Sequence, residues 1–96
     1  MTPGDVIARG ERARQLMTDV VMQDAFAAVE KIYVLEMRKC AATDDAGRYR
    51  YSQALNIIEG VKIHLREFIA QGALTEKQSQ EFRAAATVKE RVTRLF

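Results

Sequence analysis

Small or apolar residues recur at 3-4-3-4-3-4 spacing from Tyr51 to Gly72, through Ala54, Ile58, Val61, Leu65 and Phe68. That spacing is one seam of an α-helix of about six turns. A seam this long needs a cover of similar length, and the stretch from Val20 to about Ala42 supplies one. Its apolar residues form two adjacent stripes, one through Met22, Phe26, Val29, Tyr33 and Cys40, the other through Val21, Ala25, Ala28, Ile32 and Leu35. Together they are wider than one partner helix requires. Between the two helical patterns, Ala42-Thr43-Asp44-Asp45-Ala46-Gly47 combines cap formers with a glycine and predicts a return of the chain. A connection this short leaves neighbouring helices antiparallel.

The ends read as further helices. Thr2 or Asp5 can cap a first helix that tolerates Pro3 in its first turn and runs to about Met17. Its few apolar positions among Arg9, Glu11, Arg12 and Arg14 make it an arm that docks by a narrow stripe. Thr18-Asp19 can cap the second helix. Gly72 is expected to end the third as a C-terminal cap, and Thr75 with Gln78 fits a capping box that opens a last helix. That last helix has a poor face of Phe82, Ala85, Ala86, Val92, Leu95 and Phe96, interrupted by Lys89. The expected architecture is one all-α domain over 1–96. It comprises a long antiparallel helical hairpin (19–72), an N-terminal arm (1–17) and a separate C-terminal helix (75–96).

Composition sharpens this reading. With 96 residues, 48% hydrophobic but only 7% aromatic, no Trp and one Pro, runs suited to a sheet are sparse. A net charge of +2 gives the chain as a whole no strong field towards nucleic acid or anionic lipid. The single cysteine excludes an intramolecular disulfide, and no apolar run approaches the ~18 residues a membrane span needs. The chain is therefore expected to be soluble, with no membrane partner.

Candidate chemistry is thin. His64 is the only histidine, and its neighbouring turns offer Asn56, Gly60, Lys62, Glu67 and Phe68, which are not a ligand set or a catalytic pair. Cys40 lies on an apolar helical side, where a thiol behaves as a small hydrophobe. Asp44 and Asp45 read as turn and cap residues. The five glycines are scattered, so no phosphate-cradling loop exists. Neither an enzyme, a cofactor, a metal nor a small-molecule substrate is expected. The basic groups Arg9, Arg12, Arg14, Arg91 and Arg94 are the candidates for phosphate contact, yet acids such as Glu11 and Glu90 interleave with them, which favours solvated faces.

The succession Arg14, Leu16, Phe26, Ala28, Glu30 and Tyr33, then Gly47-Arg48, Tyr51, Leu55, His64-Leu65, Ile69 and Gly72-Ala73-Leu74, resembles small uncharacterised helical proteins encoded by tailed phages and prophages. The resemblance covers about Arg9 to Leu74 and rests on packing positions, so it implies a phage setting and transfers no active site. The expected function is a non-enzymatic structural or virion-assembly protein, located in the virion or host cytoplasm. Its expected partners are itself, as a homo-oligomer, and other virion proteins. The alternative is a DNA-packaging, nucleic-acid-binding subunit or an inhibitor of a host defence complex. The interaction residues expected to bury are Phe26, Val29, Tyr33, Tyr51, Ile58, Val61, Leu65 and Phe68, with truncation of a buried one costing roughly 2 to 5 kcal/mol.

Overall fold

A computed structural model describes residues 1–95 and places them in three helices, α1 (Pro3–Thr18), α2 (Val20–Lys39) and α3 (Asp45–Leu95). Phe96, expected to add an apolar group to the last helix, lies outside the described residues. The described residues contain no strand. The molecule is a rod of 81 × 25 × 17 Å with a radius of gyration of 22.2 Å. A compact chain of this length would have a radius near 12 Å.

Local chemistry accounts for each helix boundary. Thr2 and Asp5 form a reciprocal capping box: the Asp5 N–H donates to Thr2 Oγ1 at 3.1 Å, and the Thr2 N–H donates to the Asp5 carboxylate at 3.0 Å. A single extended residue, Asp19, separates α1 from α2. Its N–H donates to the Leu16 carbonyl at 3.3 Å, and its carboxylate accepts from the Met22 N–H at 2.9 Å, so one residue closes one helix and opens the next. The chain does not run straight through Thr18-Asp19. α2 then stops at Lys39, short of the expected Ala42, where Cys40 turns extended, and Arg48 folds back and donates to the carbonyls of Ala41 at 2.6 Å and Ala42 at 2.9 Å. Another helical turn is not needed to satisfy them. Asp44 caps α3 by accepting from the Gly47 N–H at 2.9 Å.

The expected break at Gly72 is absent. α3 passes through Gly72 and Thr75 as one 51-residue helix of about 76 Å, so the separate C-terminal helix over 75–96 is corrected to a continuation of the third. No glycine has a positive φ, which an αL cap at Gly72 would require. A glycine inside a helix costs about 1 kcal/mol against alanine. Here it serves close approach: a Cβ on Gly10 would stand 2.7 Å from the Phe68 carbonyl oxygen and 2.9 Å from the Gly72 Cα. A Cβ on Gly72 would stand 3.0 Å from the Gly10 Cα and 3.2 Å from the Val6 carbonyl oxygen. Both glycines are buried, and one α1 turn further on Ala13 is 2% exposed, the only buried apolar side chain among the described residues.

Contacts elsewhere follow one order, with partners on α3 falling in number as positions on α1 and α2 rise. Pro3 shares a groove with Thr75 and Phe82, Gly10 lies on Gly72, Glu30 reaches Lys62, and Tyr33 faces Tyr51 with ring centroids 6.2 Å apart. α1 and α2 thus occupy successive lengths of α3. Of the residues expected to bury, Phe26, Tyr33, Tyr51, Ile58, Leu65 and Phe68 are half-buried. Val29 and Val61 remain 40% and 47% exposed, a correction with two causes. Val29 sits at the edge turned towards the second stripe of α2, and at the level of Val61 the inward position is taken by Lys62. Half-burial also lowers the expected cost of truncating these side chains to about 1 to 2 kcal/mol.

The glycines give a test with an internal control. No heavy atom lies within 4 Å of a Cβ built on Gly60, so Gly60→Ala should stabilise the protein by about 0.5 to 1 kcal/mol through helix propensity alone. Gly72→Ala gains the same propensity yet forces two backbones apart, and its net effect should be destabilising. Urea titration followed by circular dichroism reads both signs. A stabilised Gly72→Ala variant would show that the crossing is not close-packed.

Candidate interaction surface

Two cationic side chains are drawn into the seams between helices. Lys62 pairs with Glu30 across the α2–α3 seam and sits 5.3 Å from the centroid of the Phe26 ring, with its side chain 20% exposed. In the α1–α3 seam the Arg9 guanidinium lies 4.1 Å from the Phe68 centroid and donates to Gln71 Oε1 at 2.9 Å. Its Nε is buried with no hydrogen-bond partner. Each cation covers an aromatic face with its charge while its stem fills apolar space. Arg9 is therefore an interhelical link, and the structure removes it from the solvent-facing arginines with which the sequence grouped it.

The other expected phosphate contacts divide. Arg14 pairs with Glu11, whose hydrogen bond raises the guanidinium above its ordinary pKa and holds the Glu11 carboxyl below the usual carboxylate range. Arg12, Arg91 and Arg94 are exposed and form no ion pair among the described residues. They are spread along the rod, since Arg12 lies on α1 close to where Gly10 meets Gly72, whereas Arg91 and Arg94 are in the last turns of α3, about 30 Å further on. No single basic face collects them.

The residues that carry chemistry are not brought together. His64 is exposed, with Nδ1 3.2 Å from Glu67 on the next turn and its ring 6.5 Å from that of Phe68. Cys40 is half-buried at the end of α2, its Sγ 3.5 Å from the Glu36 carbonyl. Asp44 caps α3 and Asp45 pairs with Arg48. Among the described residues no three His, Cys, Asp or Glu side chains cluster as a metal site would require, and no helix is long and apolar enough to cross a membrane.

What the surface offers is apolar area in stripes. The first stripe of α2, through Met22, Phe26 and Tyr33, lies half-buried against α3, whereas every member of the second, Val21, Ala25, Ala28, Ile32 and Leu35, is exposed. α3 adds another outward set in Phe82, Val88, Val92 and Leu95, 48% to 79% exposed. The width of the α2 pattern pointed to the first of these surfaces. The second corresponds to the poor face expected on a separate C-terminal helix, which held Phe82, Val92 and Leu95, was interrupted by Lys89 and did not include Val88.

The Lys62–Glu30 pair should be measurable. A double-mutant cycle with Lys62→Met and Glu30→Gln is expected to give a coupling of about 0.5 to 1 kcal/mol, since both groups retain water contact. The coupling should shrink in high salt. A value near zero at low salt would mean that the pair does not bind α2 to α3.

Comparison with protein-family models, curated proteins and solved structures returned no match, so the reading of this surface rests on its own geometry.

Proposed function

We propose that the protein is a non-enzymatic structural or assembly component of a tailed phage, an antiparallel helical hairpin braced by its N-terminal arm. It works by pairing with copies of itself and by docking on other virion proteins. The phage setting comes from the sequence resemblance, and one structural observation supports the mode of action. An 81 Å rod with one buried apolar side chain among its described residues leaves Val21, Ile32, Phe82 and Leu95 at 56% to 79% exposure. Apolar stripes of this extent mark interaction surfaces. The absence of a convergent polar cluster among the described residues gives a catalytic reading no support.

A second reading draws on the far end of α3. Beyond Phe82 the helix carries Arg83, Lys89, Arg91 and Arg94 against one acid, Glu90. This charge suits a phosphate backbone and keeps the DNA-packaging alternative in play, with host-defence inhibition as the protein-binding variant of it.

Sedimentation of an infected-cell lysate separates these readings. The structural proposal expects the chain to travel with heads, tails or their assembly intermediates. A chain that stays at the top of the gradient throughout infection overturns it. For the second reading, DNA titrations at two salt concentrations should show steeply salt-dependent affinity that Arg91→Ala with Arg94→Ala flattens by about one unit of log–log slope per lost contact.

A further inference from the structure

We infer that the outward stripe of α2 is a self-pairing face, covered by a second copy of this chain lying antiparallel, with the two-fold axis passing beside Val29. The inference deepens the assembly reading above and rests on it, since it names the partner and the register.

The stripe lies about a third of a turn round α2 from the side that meets α3. At about 100° per residue, Val21, Ala25, Ala28, Ile32 and Leu35 fall within roughly 80° of arc, at the 4-3-4-3 spacing of a coiled-coil seam. All five are exposed, so the seam is complete and uncovered along the length of the helix. An uncovered seam could meet many partners. The order of side-chain sizes and the flanking charges select one.

In an antiparallel pair centred on Val29, Ala25 faces Leu35 of the second copy and Ala28 faces its Ile32, with the reverse contacts generated by symmetry. Each of these layers sets a small side chain against a large one, as even packing requires, and Val21 at the end of the seam falls opposite Lys39 of the second copy. The residues flanking this seam are Asp24, Lys31 and Arg38 on one side and Met22, Val29 and Glu36 on the other. The same register brings Asp24 beside Arg38 of the second copy, twice, and Val29 beside Val29. Neither Asp24 nor Arg38 has an ion-pair partner within the chain among the described residues. Lys31 meets its own copy near the axis, the one unfavourable pair.

Other registers lose the size match, whether or not they keep a charge pair. Sliding one heptad in one direction brings Asp24 beside Lys31 but sets Ala25 against Ala28 and Val21 against Ile32, so a void adjoins a crowded layer. The opposite slide sets Ile32 against Leu35 and Lys31 against Arg38, adding crowding and repulsion. A parallel pair brings Lys31 beside Glu36 but stacks Ala25 on Ala25 and Ile32 on Ile32, so voids and crowded layers alternate. Size and charge agree only in the antiparallel register centred on Val29.

Sedimentation equilibrium of the full chain tests the assignment. The expected result is a dimer, with Ile32→Glu abolishing it. Asp24→Arg alone should raise Kd about tenfold through two reversed rim contacts, and Asp24→Arg with Arg38→Asp should restore it. Lys31→Gln should tighten the dimer. Val29→Cys in a Cys40→Ser background should cross-link to itself with a short bis-maleimide. Ile32 and Asp24 are exposed in the single chain, so circular dichroism of these variants should match the parent. A monomer at the highest concentration reached, or a dimer whose Kd is unmoved by Ile32→Glu, overturns the assignment. Either result leaves the assembly reading to be judged by the gradient.

Discussion

Backbone meets backbone where Gly10 of α1 crosses Gly72 of α3, and the architecture depends on that approach. Without side chains between them, the Gly10 position, the Phe68 carbonyl and the Gly72 Cα come so close that a methyl group cannot be admitted. Ala13 buries beside them, Phe68 and Arg9 close one flank, and α1 becomes a splint across the part of α3 that a glycine would otherwise weaken. The helix-breaking tendency of Gly72 is offset by the packing its missing side chain permits. The continuity of α3 follows from tertiary contact more than from local preference.

A rod this thin can hide little. Each helix meets a neighbour along one strip, so a helix with two apolar stripes leaves one in water. α2 is such a helix, and its inner stripe is itself only half-covered because α3 is its sole long neighbour. Lys62 and Arg9 show how the seams cope: each runs an aliphatic stem along the seam and sets its charge over an aromatic ring. Such contacts hold the rod together without building an interior. Stability that a globule would draw from its core is drawn here from these seams.

The helical class, the Thr2–Asp5 box, the Asp19 cap and the cap at Asp44 were legible in the sequence because each depends on residues within a few positions of one another. Gly72 was not, since its role is defined by a glycine 62 positions away on another helix, and a glycine followed by Thr75 and Gln78 also matches a stop and restart. The seam itself carried a clue, for its spacing continues from Gly72 through Thr75 and Ser79, both half-buried, and only their polarity hid it. The seam contacts of Arg9 were hidden for the same reason: nothing near it in sequence announces Phe68 and Gln71. The exchange of Val61 for Lys62 is the reverse case, in which an apolar residue at ideal spacing yields to a longer side chain able to reach both Phe26 and Glu30.

Past Phe82, α3 runs on with every described residue exposed. A peptide of that length would be marginal as a helix in water, because nucleation is costly. Attached to a helix already formed, it is spared that cost and projects as an ordered end. Its outward apolar groups, Val88, Val92 and Leu95, share it with Arg83, Arg91 and Arg94, so the projection is amphipathic and basic. A partner that binds it meets a segment whose backbone is already ordered, and less of the binding free energy is consumed in ordering the chain. The glycine crossing thus extends its influence to the far end of the rod: by keeping α3 whole, it presents a preformed helix where a break at Gly72 would have left a loose one.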